Sequence, residues 1–300
     1  RILLNHPHTE IAFVQSRSQA GKAVSDVHRD LVGDTHLTFV AEAGKADVLF
    51  LCLGHGEARK YLQENPATES RIIDLSQDFR LAATAEGFIY GLPELNREKI
   101  QTAAKVANPG CFATAIQLGL LPLAANGMLG IVHTTAITGS TGAGQKLQDT
   151  THFTWRDSNI SAYKTLNHQH LAEIRQSLAS LQPGYDEALN FVPWRGDFTR
   201  GIFATSVTAC HLSMDDLKAL YSAYYSGHPF THLVDGELDL KMAVNTNKCL
   251  IRLEKSGNTL AIHSVIDNLL KGAAGQAVQN MNLMFGFAED AGLRLKPAGF

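Results

Sequence analysis

A cysteine stands between a turn and an apolar run in the stretch VANPGCFATAIQLGLLP, residues 106–122. Asn108 is a favoured N-cap residue and Pro109 a favoured first residue, so we expect a helix that begins at Pro109 and holds Cys111 in its first turn. Backbone N–H groups there lack intrahelical partners, and they can stabilise a thiolate or receive an oxyanion. We therefore expect the pKa of Cys111 to lie well below the ~8.5 of a free thiol. A buried cysteine that packs like alanine is the alternative.

A histidine and a carboxylate recur on a second predicted helix, HQHLAEIRQSLASLQ, residues 168–182, with Asn167 as a plausible N-cap. His170 and Glu173 are three residues apart and share a helix face, where a carboxylate can orient an imidazole and raise its basicity. His168 is expected to point elsewhere, which disfavours a two-histidine metal site. No quartet of ligands has the spacing of a zinc site, so we expect no metal.

Composition excludes several classes of function. The chain has 300 residues, is 45% hydrophobic and 18% charged, and carries a formal net charge of -3. Its lysines and arginines are scattered, so neither a nucleic acid nor an anionic membrane surface is an expected partner. No apolar stretch reaches the about 20 residues of a membrane span. The four cysteines form no CxxC pair, which disfavours disulfides and favours a reducing cytoplasm.

The first part of the chain alternates predicted strands and helices. The opening RILLNHP resembles the end of a helix. Three continuous apolar runs predict buried strands: IAFV (11–14), ADVLFLCLG (46–54) and RIIDLS (71–76). A predicted helix, EARKYLQEN (57–65), lies between the second and the third. Such alternation predicts a parallel sheet that is covered on both faces and binds ligands at the carboxyl ends of its strands.

The pattern changes after Cys111. GIVHTTAITGSTGAGQ (130–145) predicts a strand that enters a glycine-rich loop, and GIFATSVTACHL (201–212) and LIRLEKSGNTLAIHSVID (250–267) predict further strands. DNLLKGAAGQAVQNMNLMFG (267–286) predicts a long helix of small residues. We therefore predict one α/β domain, residues 1–110 plus 267–300, interrupted by an α+β domain of residues 111–266.

The cysteine segment resembles the active-site signature of the N-acetyl-gamma-glutamyl-phosphate reductases of arginine biosynthesis. Further stretches resemble the same family in the same order: ADVLFLCLGHG, IIDLSQDFRL, YGLPELNR, TGSTGAGQ, NHQHLAEI, FTRGIFATS and NLLKGAAGQAVQNMNLMFG. The resemblance covers nearly the whole chain. It implies a Rossmann-type dinucleotide-binding domain with an inserted catalytic domain, as in the aspartate-semialdehyde and glyceraldehyde-3-phosphate dehydrogenases. A cytoplasmic homo-oligomer, dimer or tetramer, is expected from it.

The resemblance also implies a chemistry. In the family, a cysteine attacks an acyl phosphate, a small-molecule substrate, and expels phosphate to leave a thioester. Hydride from NADPH then gives a thiohemiacetal that collapses to the aldehyde. Cys111 matches the nucleophile, and His170 matches the catalytic histidine of a His-x-His-x-x-Glu-Ile pattern that also contains Glu173.

The turn after the first predicted strand indicates which dinucleotide binds. Ser16, Arg17 and Ser18 offer hydroxyls and a guanidinium where an NAD-binding fold would place a carboxylate, which suits the 2′-phosphate of NADP. A polar surface turn is the alternative. Gly142 and Gly144 belong to a loop that resembles the family loop beside the cofactor and the cysteine, and glycines permit close backbone approach.

Other side chains are candidates for the cofactor and the substrate. The resemblance places the segment of Asn268 near the nicotinamide, although helix capping is its plainer role. A substrate with a carboxylate and a phosphate needs arginines. Arg200 matches an arginine of the family pattern and is our first candidate, while Arg80 and Arg195 are weaker ones. Asn108, beside the cysteine, is a further candidate for substrate binding.

One departure from the family pattern and several alternatives stay open. The glycine fingerprint of the first strand and helix is missing, so we expect about 20 residues of strand and loop to be absent and NADPH to bind weakly to residues 1–300 alone. The sequence does not separate N-acetyl from N-succinyl glutamyl phosphate, or from the aminoadipyl analogue of lysine biosynthesis. A nucleotide-independent cysteine hydrolase or acyltransferase and a catalytically silent scaffold are the other hypotheses.

Overall fold

The first third of the chain forms a parallel sheet because its apolar runs alternate with helices. The structure, a computed structural model, describes residues 1–65, 69–144 and 146–298. The strands of this part are β1 (Val14–Gln15), β2 (Phe39–Val40), β3 (Val48–Leu51), β4 (Arg71–Asp74), β5 (Ile89–Tyr90) and β6 (Lys105–Ala107). Its helices are α1 (Val24–Val27), α2 (Glu57–Glu64) and α3 (Pro93–Gln101). β3, β4, β6 and β5 run parallel in that order, so their carboxyl ends share one edge.

The beginning of the chain differs from the prediction. The strand expected over 11–14 is reduced to β1, which pairs only with β2 in the part of the chain that the structure describes. Its two side chains are only half-buried, so no buried apolar face stabilises a longer strand. The opening segment forms a short 3-10 turn over Ile2–Asn5.

The middle of the chain forms a seven-stranded mixed sheet. Its strands are β7 (Val132–Thr138), β8 (Ser161–Ala162), β9 (Leu189–Arg195), β10 (Ile202–Ala209), β11 (Thr231–Leu233), β12 (Cys249–Ser256) and β13 (Thr259–Ile266). They lie in the order β11-β12-β13-β10-β7-β9-β8. β7 and β10 alternate buried and more exposed side chains, which is the pattern of a sheet with one covered face.

Four helices accompany this sheet. They are α4 (Cys111–Ala125), α5 (Phe153–Arg156), α6 (His170–Leu181) and α7 (Met214–Tyr224). α4 is almost wholly buried because it packs against the sheet and α6. The Tyr221 hydroxyl donates to the Gly119 carbonyl oxygen at 2.7 Å, which ties α7 to the middle of α4. Packing on every side makes α4 a rigid support for the cysteine at its start.

The last helix returns to the first sheet. The predicted single helix begins with a π-helical turn, Leu270–Ala274, and continues as α8 (Gly275–Phe285). α8 packs against α3 and β4 and ends at Gly286, whose φ of 70° is the left-handed conformation typical of a C-cap glycine. The π turn contacts α4, and α8 covers one face of the parallel sheet.

Candidate active site

The helix that carries Cys111 begins two residues later than predicted. Its N-cap is Gly110, and the Thr114 N–H donates the first helical hydrogen bond to the Gly110 carbonyl oxygen at 2.8 Å. Asn108 does not cap the helix, because its side-chain amide donates to the Ala273 carbonyl oxygen at 3.1 Å. Cys111 is therefore the first residue of α4, and it still lies among N–H groups without intrahelical partners.

The thiol of Cys111 is half-buried beside the π turn. Gly272 approaches so closely that a Cβ on it would lie 2.8 Å from the Cys111 Cβ. Burial raises the pKa of the thiol to about 11, although the N–H groups of Phe112 and Cys111 and the charge of Arg80 lower it. The predicted fall of this pKa is therefore wrong, because removal of water from the thiolate outweighs the helix N-terminus.

A buried carboxylate fixes the turn before the cysteine. Glu173 Oε1 accepts from Arg80 Nη1 at 3.0 Å, and Oε2 accepts from the Tyr90 hydroxyl and from the Gly110 N–H, each at 3.0 Å. We call Arg80, Tyr90, Gly110 and Glu173 the Glu173 cluster. The remaining Arg80 nitrogens donate to backbone carbonyl oxygens. The arginine and glutamate side chains are only 8% and 4% exposed, so the ion pair is shielded from water.

His170 is the first residue of α6, whose N-cap is Gln169 and not the predicted Asn167. A Cβ on Gly110 would collide with the His170 Nε2, so the glycine leaves room for the imidazole next to Cys111. Nε2 lies 3.9 Å from Glu173 Oε1, beyond hydrogen-bond distance, and Nδ1 is buried without a partner among the described residues. Burial and the charge of Arg80 lower the His170 pKa to about 3, so the imidazole is neutral at pH 7.

The structure places two further rings beside His170. His168, expected to point elsewhere, packs edge-on against the His170 ring with centroids 4.6 Å apart. Its Nδ1 accepts from the His170 N–H at 3.2 Å, and burial together with its neighbour lowers the His168 pKa to about 3. Tyr163 packs on His168 with centroids 5.8 Å apart. Burial, and then the charge of Cys111, raise the Tyr163 pKa to about 12.

Three more arginines lie in the segments around this site. Arg200 is paired, with Nη2 at 3.0 Å from Asp267 Oδ2. Arg156, at the end of α5, is only 6% exposed, and its Nε and Nη1 have no hydrogen-bond partner within the described part of the chain. Arg195, at the end of β9, lies with its Cζ 4.7 Å from the centre of the Tyr163 ring.

The glycine-rich loop after β7 is held from the start of the return segment. It forms a 3-10 turn over Ser140–Ala143, and Gly144 has a φ of 76°, which favours glycine. Asn268 donates from Nδ2 to the Thr141 hydroxyl at 3.1 Å and accepts the Gly201 N–H at 2.7 Å through Oδ1. A Cβ on Gly142 would lie 3.9 Å from that Nδ2. Gln145, the last residue of the predicted loop, lies outside the described residues.

The predicted NADP turn forms a separate feature. Arg17 begins a 3-10 turn, and Arg17 and Ser18 are exposed while Ser16 is half-buried. The Ser16 N–H donates to the Val40 carbonyl oxygen at 3.0 Å, which fixes the turn at the carboxyl end of β1. Within the described ranges, no hydrogen bond or ion pair joins this turn to the Glu173 cluster.

A cavity of about 410 Å³ opens beside the Glu173 cluster. Its lining includes Arg59, Asp78, Arg80, Gln169 and Glu173. Over the same described ranges, no three His, Cys, Asp or Glu side chains form a group that could hold a metal ion. No helix there is both long and apolar enough to cross a membrane.

Sequence reasoning missed part of this arrangement. The sequence does not indicate Tyr90 or Arg156 as site residues, and it favours Arg200 over Arg80 for substrate binding. Arg80 and Glu173 are 93 residues apart, and Tyr90 and Glu173 are 83 residues apart, so no local spacing could reveal their contacts. The only signal was that Arg80 and Tyr90 fall within stretches that resemble the family.

Comparisons with known protein families and structures identify the fold. A family model described as the semialdehyde dehydrogenase NAD binding domain matches residues 1–103, and one described as the semialdehyde dehydrogenase dimerisation domain matches residues 111–268. Aspartate semialdehyde dehydrogenase II from Vibrio cholerae has a TM-score of 0.71 at 16% identity, over 91% of this chain and 90% of that one. The enzyme with NADP from Candida albicans has a TM-score of 0.71 at 15% identity, over 97% and 95%. Fold and site thus define a semialdehyde dehydrogenase type of oxidoreductase.

Curated relatives specify the family. The N-acetyl-gamma-glutamyl-phosphate reductase of Christiangramia forsetii is 56% identical over 100% of this chain and 94% of its own length. The protein of the same name from Bacteroides thetaiotaomicron is 55% identical over 100% and 94%. The chain belongs to the N-acetyl-gamma-glutamyl-phosphate reductase family.

Proposed function

We propose that this chain reduces N-acetyl-gamma-glutamyl phosphate to the semialdehyde with NADPH and releases phosphate, as a step of arginine biosynthesis in the cytoplasm. The observation that carries the proposal is a cysteine at the N-terminus of a buried helix, with a neutral histidine packed against the preceding glycine. The match to a dimerisation domain supports a homo-oligomer, either a dimer or a tetramer. We keep the predicted division into a dinucleotide domain, 1–110 plus 267–300, and a catalytic domain, 111–266.

In the first step, the Cys111 sulfur attacks the carbonyl carbon of the acyl phosphate. The thiol is protonated at neutral pH because its pKa is about 11, and the His170 imidazole is unprotonated because its pKa is about 3. The unprotonated imidazole of His170 can accept the thiol proton as the carbon–sulfur bond forms. The carbon–oxygen bond to phosphate then breaks, which leaves a thioester on Cys111.

The start of α4 stabilises the charge that develops on the carbonyl oxygen. The N–H groups of Cys111 and Phe112 have no intrahelical acceptor and can donate to that oxygen. NADPH, when bound, supplies the hydride that reduces the thioester carbon. As the resulting thiohemiacetal collapses to the aldehyde, the sulfur recovers its proton from His170.

Glu173 acts as a positioning residue in this scheme. Its carboxylate holds the Gly110 N–H, and it lies 3.9 Å from the imidazole that it was expected to orient directly. It therefore acts on Cys111 and His170 through the backbone of Gly110, which precedes the cysteine and packs against the imidazole ring. Asn108 supports the same turn, because it is 1% exposed and donates to the Ala273 carbonyl oxygen. Arg200 remains a candidate for substrate binding, with Asp267 fixing its orientation.

Two features fit an NADP cofactor. Arg17 and Ser18 are exposed at the end of β1, and with Ser16 they provide a guanidinium and hydroxyls without a carboxylate, which suits a 2′-phosphate. Gly142 and Gly144 permit close approach of the loop after β7, which Asn268 holds near the start of the π turn. We assign these residues to cofactor binding.

The reverse reaction tests the proposal. NADP reduction is followed with phosphate and N-acetyl-glutamate semialdehyde, and the N-succinyl and N-acetyl-aminoadipate semialdehydes are run beside it. We expect phosphate-dependent NADP reduction that is fastest with the N-acetyl-glutamate compound. Cys111→Ser should abolish it, and Cys52→Ser, which changes an exposed cysteine, should not. Turnover without phosphate or NADP would support a hydrolase or acyltransferase, and no turnover at all would support a silent scaffold.

A further inference from the structure

Arg80, Arg156, Arg195 and Arg200 lie in the segments around the proposed active site, and they differ in whether a carboxylate neutralises them. Arg80 is paired with Glu173 and Arg200 with Asp267, each at 3.0 Å. Among the described residues, neither Arg156 nor Arg195 forms an ion pair. Arg156, Arg195 and Arg200 each have a buried guanidinium nitrogen without a partner, but only Arg200 is neutralised by a carboxylate. A group that is already neutralised within the protein gains less from a bound anion than one that is not. The unpaired arginines are therefore the better candidates for anion binding.

The two unpaired arginines are adjacent. Arg156 Nη2 donates to the Arg195 carbonyl oxygen at 3.3 Å and to the Asn159 carbonyl oxygen at 2.7 Å. We call Arg156 and Arg195 the arginine pair. Burial of the Arg156 guanidinium without a counter-charge is costly, and a bound anion would lower that cost. Asp197, two residues after Arg195, forms no ion pair with either arginine among the described residues, and its Oδ2 accepts the Ser158 N–H at 2.7 Å.

Tyr163 connects the arginine pair to the histidines of the site. Arg195 stacks on its ring at 4.7 Å, and the same ring packs on His168, whose ring lies edge-on to that of His170 beside Cys111. Arg195 is half-buried, so an anion can reach it from solvent, whereas Arg156 lies behind it at 6% exposure. The arginine pair is thus connected to the His170 side of the proposed active site through a series of packed rings.

We propose that Arg195, supported by Arg156, binds the α-carboxylate of the N-acyl-glutamyl substrate. The inference rests on the function proposed above. The phosphate is attached to the carbon that Cys111 attacks and must lie directly at the thiol, whereas the α-carboxylate is separated from that carbon by the rest of the glutamyl chain. A guanidinium binds a carboxylate through two parallel hydrogen bonds, which fixes the substrate's orientation. Arg156 is a positioning residue that holds the Arg195 backbone and adds positive charge.

This contact is tested by removing the Arg195 guanidinium, the substrate's α-carboxylate, or both. The two aldehydes are N-acetyl-glutamate semialdehyde and N-acetyl-4-aminobutanal, which lacks only the α-carboxylate. Both are assayed with phosphate and NADP on the wild-type chain, Arg195→Gln and Arg195→Lys. For the wild type, we expect kcat/KM to be about 10- to 100-fold higher with the carboxylate-bearing aldehyde, as expected for lost hydrogen bonds to a charged group. Arg195→Gln should reduce this preference to near unity, and Arg195→Lys should retain part of it.

Controls separate the possible outcomes. Arg294→Gln removes an exposed arginine that pairs with Asp290 and should leave the preference unchanged. If Arg195→Gln slows both aldehydes equally, or raises the KM for phosphate instead, the assignment of the α-carboxylate to Arg195 is wrong. If the wild type turns over neither aldehyde, the proposed function fails. Binding of both aldehydes, measured calorimetrically on wild type and Arg195→Gln, then tests the arginine separately, and equal carboxylate preferences in the two proteins would overturn it.

Discussion

The polar groups around Cys111 fall into two regions that differ in whether their hydrogen-bonding atoms have partners within the protein. In the Glu173 cluster, both carboxylate oxygens accept hydrogen bonds, and every guanidinium nitrogen of Arg80 donates one. Outside this cluster, the His170 Nδ1 and nitrogens of the arginine pair are buried without partners, as far as the structure describes the chain. The first region is complete without a ligand, and the second is not.

This difference separates positioning from chemistry. A buried, fully bonded network resists movement and holds the start of α4 and α6 in one geometry. Buried groups without partners destabilise the fold, and active sites commonly contain such groups because a substrate satisfies them. We therefore expect substitutions in the Glu173 cluster to affect stability, and those in the second region to affect mainly turnover or substrate affinity.

The largest effect is expected at His170. Because its neutral imidazole takes the thiol proton, His170→Ala should lower kcat by about 10²–10⁴-fold with little change in the thermal midpoint. Steady-state assays and thermal unfolding measure the two quantities, and His36→Ala, on an exposed histidine, is the control. His168→Ala should lower kcat far less. Wild-type turnover in His170→Ala would show that His170 is not the proton acceptor.

Next in size is the cost of opening the Glu173 cluster. Glu173→Gln leaves the buried Arg80 charge without its carboxylate, and such losses typically lower the free energy of unfolding by about 3–5 kcal/mol. Denaturant titration measures the change. Glu187→Gln, on an exposed side chain, should change it by less than about 0.5 kcal/mol. A Glu173→Gln variant as stable as the wild type would show that the cluster does not stabilise the site.

The thiol pKa predicts how alkylation depends on pH. Since burial raises the pKa of Cys111 to about 11, the thiolate fraction should rise about tenfold per pH unit from pH 7 to 9. Iodoacetamide labelling, followed by peptide mass spectrometry, should show that rise at Cys111, while free cysteine begins to level off near its pKa of about 8.5. A labelling rate at Cys111 that is already constant at pH 7 would mean that the helix N-terminus outweighs burial.

The smallest effect is expected at Arg156, and it should differ in sign from the loss at Glu173. Arg156→Met replaces a buried, unneutralised charge with an apolar side chain of similar length. We expect the free energy of unfolding to stay level or rise by about 1 kcal/mol, while the KM for the semialdehyde increases. Denaturant titration and steady-state kinetics give both values. A loss of about 3 kcal/mol would assign Arg156 to the stabilising framework.

Local signals in the sequence predicted most of the elements and the place of Cys111 at the start of a helix. A cysteine after Pro-Gly and before an apolar run placed Cys111 in the first turn of a helix, and helical spacing placed His170 and Glu173 on one face. The exact helix start was wrong because Asn108 bonds to Ala273, a contact between residues 165 positions apart. Capping preferences describe a helix end in isolation, and tertiary hydrogen bonds changed this one.

Electrostatic properties were harder to predict than positions. The helix N-terminus is visible in the sequence, but the desolvation that raises the thiol pKa comes from neighbours such as Gly272, which packs on Cys111 from a distant segment. The pairing of Arg200 with Asp267, and the lack of a partner for Arg156, are likewise tertiary facts. Composition identified the arginines, and only the fold shows which of them are neutralised.

Trapping the thioester tests the central claim most directly. The chain is mixed with N-acetyl-gamma-glutamyl phosphate without NADPH, and intact-protein mass and released phosphate are measured together. The thioester mechanism predicts one N-acetyl-glutamyl group per chain, bound to Cys111 and released by hydroxylamine, with an equal amount of phosphate. Formation should slow sharply in His170→Ala and be absent in Cys111→Ser. Phosphate release without a Cys111 adduct, or an adduct on another residue, would contradict it.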